Sequence, residues 1–386
     1  VTGISKRVDH LADGRELIYF DDAFTSLAGE RAPDRRTLGP RPPTAVLRED
    51  ILTGDWISIA SARQARAVMP PADLDPLAPQ SPTNPSEIPD MYDVVVFENR
   101  SPSFGPAVAS DSSTLLPDGF AGPGLNRETL SFGRCEVICF TPARDGGFGS
   151  VTASRARTII EAWVDRTAAL SSLPGVRQVF PFENRGAQIG VTLQHPHGQI
   201  YAYPYITPRT RQLIRQVDAY GPQLFADILE TELAGPRVVL AGEYWTAFVP
   251  FAARWPIEVH LLPHRHVADF AETSFAQREE LATIYLKLLR GIDALYDDAT
   301  PYIAAWHQAP VNTHRDSIRL HLQLTSPRRG VDKFKYLAGS EAAMGAWVAD
   351  ISPELQADKL REAIAAAEES HPRTVERSAE GRCEKC

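Results

Sequence analysis

Gln194-His195-Pro196-His197-Gly198-Gln199-Ile200 is an alternating stretch, and Ile318-Arg319-Leu320-His321-Leu322-Gln323-Leu324 repeats its pattern 124 residues later. The offset sets His197 on His321 and Gln199 on Gln323, while His195 meets Arg319. Side chains of a strand alternate between its faces, so residues 195, 197 and 199 are expected to share one, with two imidazoles and an amide aimed at one spot. Pro196 removes a backbone donor and Gly198 admits a ligand or another backbone, choices unlike those of an ordinary interior strand. The plain alternative is a pair of satisfied core histidines beside a turn.

Working outward, the sequence ahead of each stretch is also repeated. Glu136-Val137-Ile138-Cys139-Phe140, a turn, a long helix and Val179-Phe180-Pro181-Phe182 are echoed by Glu258-Val259-His260-Leu261-Leu262, a turn, a helix and Tyr302-Ile303-Ala304-Ala305-Trp306. In the first copy Ala156, Ile159, Ile160, Trp163, Val164, Thr167 and Leu170 fall at helical spacing from Ala153 onward. The second helix carries a capping box, Ser274-x-x-Gln277, ahead of Leu281, Ile284, Leu288 and Ile292. Such internal repetition implies a duplicated α+β unit with one active strand, mostly antiparallel sheet with flanking helices. Residues 1–45 are polar and charge-rich and are expected to form an irregular N-terminal arm. The first unit, 46–210, carries the active strand; the second spans 211–370, and 371–386 is a flexible tail. Seven prolines between Pro70 and Pro89 exclude regular structure there and leave an ordered loop or linker.

The chain has 386 residues, 43% hydrophobic and 23% charged, ordinary values for a folded protein with a substantial core. Its net charge of −9 provides no global field toward nucleic acid or anionic lipid, so any bound phosphate must be held by local charges. No apolar run approaches the roughly 18 residues a membrane span needs, and the first residues lack a signal pattern, so the expected location is the cytoplasm. Cys135 and Cys139 flank an apolar strand and read as buried thiols, whereas Cys383 and Cys386 form a single Cys-x-x-Cys of undecided role in a charged tail.

Together with Phe182-Glu183-Asn184-Arg185-Gly186, the duplicated unit and its His-Pro-His-Gly-Gln strand resemble the histidine-triad superfamily of nucleotide-binding proteins, and within it the galactose-1-phosphate uridylyltransferase family. Trp56-Ile57, Val96-Phe97-Glu98-Asn99, Trp306-His307-Gln308-Ala309-Pro310 and Lys335-Tyr336-Leu337-Ala338-Gly339-Ser340-Glu341 extend the resemblance from about Leu47 to about Ala366. It implies exchange of UMP between UDP-glucose and galactose-1-phosphate through a uridylyl-histidine. His197 would be the nucleophile, with Gln199 and His195 beside it as catalytic residues. Neutral imidazole suits this role, and an amide at Gln199 can bond a phosphoryl oxygen without activating water, which favours transfer over hydrolysis. Arg63, Arg66, Asn99, Asn184, Gly186 and Thr192 would meet the nucleotide and its phosphates. Lys335, Tyr336, Ala338, Ser340 and Glu341 would serve the sugar phosphate, reaching over from the partner chain of a homodimer.

Family members bind zinc through two cysteines of the proline-rich loop and two histidines. Here Asp75 and Ala78 stand at the cysteine positions and Arg144 at one histidine, so only His195 is left and no metal is expected. His195 then needs another partner, a backbone carbonyl or a water. A second family site, for iron, retains His307 and His321 but has Gln323 for a third histidine and no clear glutamate; a weak iron or zinc site there stays open. Two other functions also stay open: a relative acting on another sugar-1-phosphate or nucleotide, and a non-catalytic nucleotide-binding paralogue.

Overall fold

The computed structural model describes residues 3–27, 30–42, 44–61, 70–106 and 124–370. Eleven strands form one antiparallel sheet: β1 (Ser5–His10), β2 (Glu16–Asp21), β5 (Val94–Glu98), β7 (Arg134–Cys139), β8 (Gln178–Arg185), β9 (His197–Tyr203), β10 (Val238–Ala241), β11 (Trp245–Phe248), β12 (Ile257–Pro263), β13 (Tyr302–His307) and β14 (His321–Ser326). A small sheet of β3 (Val46–Asp50), β4 (Asp55–Ile59) and β6 (Glu128–Leu130) lies apart from it, as does the β15 (Arg328–Gly330) and β16 (Lys333–Phe334) pair. The five α-helices of the described residues are α1 (Ala153–Ser171), α2 (Pro208–Tyr220), α3 (Leu224–Leu233), α4 (Phe275–Asp293) and α5 (Pro353–Ser370).

The strand order β1-β2-β5-β7-β9-β8-β13-β14-β12-β11-β10 turns the sequence duplication into pseudo-two-fold symmetry. From the central β8–β13 pair, where Tyr302 faces Arg185 and Ala305 faces Phe182, each half runs outward through corresponding strands: β8, β9, β7, β5, β2 on one side and β13, β14, β12, β11, β10 on the other. The α+β, antiparallel expectation holds.

Both long helices lie on one face of the sheet and pack on each other. The Thr152 side chain caps α1, and Ser274 and Gln277 close the expected capping box at the start of α4. The buried stripe of α1, Ala156, Ile159, Ile160, Trp163 and Leu170, joins Leu281, Tyr285, Leu288 and Ile292 of α4 in one apolar core with Phe148, Phe270 and Trp306. Burying each large apolar side chain contributes roughly 1.5–3 kcal/mol, which is why the duplicated helices share a core. Strand β5 is buried on both faces: Val94 and Val96 join the helix-side core, while Val95 and Phe97 meet Leu77, Ile88 and Tyr92. The proline-rich loop is thus ordered by packing, with only a short 3-10 turn, Ala72–Leu74, and isolated bridges.

The irregular arm expected over 1–45 is corrected in its first half. Residues Ser5–His10 and Glu16–Asp21 form a hairpin, and Leu17 to Phe20 pair with β5. Leu17, Ile18, Tyr19 and Phe20 are buried, and this short apolar run outweighs the polar composition around it. No helix among the described residues is long and apolar enough to cross a membrane.

Candidate active site

Strand β9 begins at His197, the point where the extended chain leaves the turn made by His195 and Pro196. Its small and apolar residues, Gly198, Ile200 and Ala202, are buried; Ile200 and Ala202 belong to the helix-side core. His197, Gln199, Tyr201 and Tyr203 therefore occupy the opposite face. Gly198 is required there: a Cβ would lie 2.9 Å from Phe140 Cζ and 3.0 Å from the Phe182 carbonyl oxygen.

His197 lies at a cavity of about 300 Å³ whose walls include Asn184, Arg185, Gly186, Arg144, Glu183 and His195. Its Nδ1 sits 2.7 Å from the carbonyl oxygen of His195, to which it donates as a neutral ring, so the Nε2 lone pair is left for chemistry. Burial holds the imidazole below its ordinary pKa of 6.5, with the nearby His195 adding to the effect against the carbonyl bond, which opposes it. Burial likewise pushes the Glu183 carboxyl up to about 7. Arg185 crosses to Asp293 at 2.7 Å and lies over the Tyr302 ring, while among the described residues the buried Nη1 of Arg144 has no hydrogen-bond partner.

His195 does not simply double His197. Its Nδ1 is 2.8 Å from Asp75 Oδ2, and its Nε2 lies 2.8 Å from the Thr141 carbonyl oxygen and 2.9 Å from the Tyr92 hydroxyl. Tyr92 also donates to the Leu77 carbonyl at 2.8 Å, binding the loop that carries Asp75 to the same corner. The partner left unnamed by the sequence is therefore a carboxylate as well as a carbonyl. Burial alone would raise the Asp75 carboxyl, but hydrogen bonds from His195 and the Leu77 amide outweigh it and hold the group below its ordinary value. Both imidazole nitrogens are occupied and a guanidinium stands nearby, so the zinc expected of the family does not fit these residues. Among the described residues no group of three or more histidine, cysteine or acidic side chains is arranged to hold a metal ion.

The structure brings together His197, His195, Asn184 and Gly186, and leaves other expected residues apart. Gly186 has φ +105°, and a Cβ would approach Pro301 Cβ to 2.6 Å, so the tight turn of this loop demands glycine. Gln199 shares the strand face but is outside the cavity wall, its Oε1 accepting from the Tyr201 hydroxyl at 3.2 Å. Thr192 is half-buried in the loop before the strand. Asn99 directly follows β5, and its Oδ1 accepts from the Ser101 amide at 3.0 Å. Lys335 is buried, its Nζ donating to the Arg254 and Val348 carbonyls and lying 3.3 Å from Glu341. Tyr336, Ala338 and Ser340 are exposed, and none of residues 335–341 lines this cavity. Arg63, Arg66, Cys383 and Cys386 lie outside the described residues; Cys135 and Cys139 are buried free thiols. Sequence reasoning met Arg144 only as the replacement for a family histidine and assigned no role to Tyr92, Glu183 or Arg185. The last two sit inside the Phe182–Gly186 string, whereas Tyr92 carries no local signal.

Family models described as galactose-1-phosphate uridyl transferase match residues 38–207 for the N-terminal domain and 209–374 for the C-terminal domain. A galactose-1-phosphate uridylyltransferase of Streptomyces lividans is 43% identical over 380 residues, covering 93% of this chain and 98% of the relative. That of Thermotoga maritima is 34% identical, covering 82% of this chain and 98% of the relative. A solved structure described as a uridylyltransferase aligns with a TM-score of 0.72 at 28% identity, covering 83% of this chain and 99% of the other. An Arabidopsis thaliana ADP-glucose phosphorylase, at 20% identity, covers 82% of this chain and 98% of its own with a TM-score of 0.61, a likeness of fold.

Proposed function

This chain belongs to the galactose-1-phosphate uridylyltransferase family, and we propose that it exchanges UMP between UDP-glucose and galactose-1-phosphate through a covalent intermediate on His197. The observation that carries this reading is the half-buried, neutral His197 ring, its Nδ1 bonded to the His195 carbonyl at 2.7 Å and its Nε2 without a hydrogen bond among the described residues, at the edge of the cavity of about 300 Å³.

In the first half-reaction Nε2 attacks the α-phosphorus of UDP-glucose. An N–P bond forms, the bond from that phosphorus to the bridging oxygen breaks, and its electron pair leaves on glucose-1-phosphate. The leaving group is a phosphate, stable as an anion at neutral pH, so no general acid is needed. An amide at Gln199 is adequate for that reason: its NH₂ donates to a phosphoryl oxygen as charge builds. In the second half-reaction a phosphate oxygen of galactose-1-phosphate attacks the same phosphorus and Nε2 leaves with the N–P electrons. The Nδ1 proton stays bonded to the His195 carbonyl in both. His195, braced by Asp75 and Tyr92, fixes that carbonyl; Arg144 and Arg185 supply positive charge to the phosphates, with Asn184 and Gly186 shaping the wall. Arg63, Arg66, Asn99 and Thr192 complete the nucleotide side. The segment 336–341, exposed from Tyr336 to Ser340, completes the partner's sugar site in a homodimer. We place the reaction in the cytosol, where buried free thiols such as Cys135 and Cys139 persist.

The test is chemical trapping. Radiolabelled UDP-glucose should leave an acid-labile, alkali-stable uridylyl group on His197, and His197→Ala should abolish both label and transfer. Near-normal turnover in His197→Ala would end the covalent mechanism. A panel of sugar-1-phosphates and nucleotide sugars run with the same enzyme sets the substrate preference.

A further inference from the structure

The proposed reaction uses one of the two duplicated strands, yet the other keeps the same arrangement. His321 Nδ1 is 2.8 Å from the Arg319 carbonyl oxygen, as His197 Nδ1 is 2.7 Å from that of His195. Gln323, two residues on, donates from Nε2 toward His321 Nε2 at 3.3 Å. Over this pair opens a separate cavity of about 290 Å³, walled by Arg209, Gln212, Arg254, His307, His321 and Gln323 among others, and no aspartate or glutamate lines it.

Its charge is unbalanced. Among the described residues Arg209 Nη2 reaches only the Gln323 amide oxygen, at 3.4 Å, and the Arg254 guanidinium lies 5.9 Å from the Trp347 ring centroid. Neither forms an ion pair among the described residues. Glu258 stands behind the wall with Oε2 taken by the Arg254 and Trp255 amides at 2.6 and 3.1 Å and Oε1 3.4 Å from His260. The His307 ring, stacked on His321 with centroids 5.0 Å apart, makes no hydrogen bond among the described residues. Burial and the neighbouring Arg254 charge hold Arg209 below its ordinary pKa. Where family members place a cation among imidazoles and a carboxylate, this chain sets two guanidinium groups beside two imidazoles. These residues repel a cation and suit an anion.

We propose that this cavity is a second anion site, holding a phosphate-type dianion between Arg209 and Arg254 with hydrogen bonds from His307 and the Gln212 amide. The shared chemistry covers inorganic phosphate and phosphate monoesters.

Equilibrium dialysis of the full chain against radiolabelled inorganic phosphate tests it. Two phosphates per chain are expected, one displaced by UDP-glucose and one retained. Arg209→Gln/Arg254→Gln should keep the displaceable phosphate and bind the other at least tenfold more weakly, with the kcat of uridylyl transfer within twofold of wild type. Phosphate should raise the wild-type Tm in the presence of UDP-glucose but not that of the double variant, whose unliganded melt reports its folding; Arg209→Gln alone should give an intermediate loss. UMP competing better than phosphate for the retained equivalent assigns the site to monoesters, and equal competition assigns it to the free anion. A single equivalent wholly displaced by UDP-glucose, a second one indifferent to the double replacement, or stoichiometric zinc lost in His307→Ala would each overturn the site.

Discussion

Asp75 stands where the sequence comparison expected a metal-binding cysteine, and it makes this corner a hydrogen-bonded brace. Its carboxylate lies 2.8 Å from His195 Nδ1, and the His195 carbonyl in turn receives His197 Nδ1. Asp75→Ala removes the partner of a buried ring and should cost about 1–3 kcal/mol of stability. Losing the support behind the proposed nucleophile should also lower kcat by about 10–100-fold. Asp75→Asn keeps an oxygen acceptor for Nδ1 and should recover much of kcat while leaving KM near wild type. Wild-type kcat in Asp75→Ala, measured on protein shown to be folded, would remove the brace from the mechanism. The pH profile tests His197. Its pKa is depressed by burial, and a depressed pKa keeps the ring neutral and nucleophilic into more acidic solution. The acid limb of kcat/KM for UDP-glucose should therefore fall below the 6.5 of an ordinary histidine, and a limb above 6.5 would contradict a desolvated nucleophile.

At the scale of elements, the helix layer tolerates less change than the strands' polar face. Gly291 of α4 packs against α5, and a Cβ there would stand 2.1 Å from Ile364 Cγ1 and 3.1 Å from its Cα. Alanine improves helix propensity by roughly 1 kcal/mol, but overpacking costs about 1–3 kcal/mol, and a clash with backbone cannot be relieved by a rotamer change. Gly291→Ala should therefore lower the unfolding free energy by up to about 2 kcal/mol net, read as a lower urea midpoint, with kcat unchanged. A midpoint equal to or above wild type would show that α5 moves aside at no cost. The same packing explains what was readable at this scale. The period of Ala156 to Leu170 and the Ser274/Gln277 box located α1 and α4 because local spacing and local hydrogen bonds define them. The β1–β2 hairpin was missed because its stability comes from pairing with β5, over seventy residues away in sequence, rather than from its own composition.

For the whole molecule, the cavity around His197 contains nothing from residues 335–341 of its own chain, while Tyr336, 72% exposed, stands out from that segment. A homodimer that shares its sites should rescue itself. Mixing inactive His197→Ala chains with Tyr336→Ala/Glu341→Ala chains should restore activity, since one site of each heterodimer joins two intact halves; the interface should bury more than about 1,200 Å². Heterodimers that form and stay inactive would mean that each chain builds its own pocket. The sequence by itself determined the duplication, the antiparallel α+β class and the strand bearing His197, because these rest on period, spacing and short motifs along the chain. The absence of cysteines at 75 and 78 was also legible, but not what replaced them. Only the tertiary structure brought Asp75, Tyr92 and Thr141 around His195, and Arg209 and Arg254 around His321. Hydrogen bonds and charge balance depend on distances between segments dozens to more than a hundred residues apart, and those distances exist only once the sheet and its covering loops have packed.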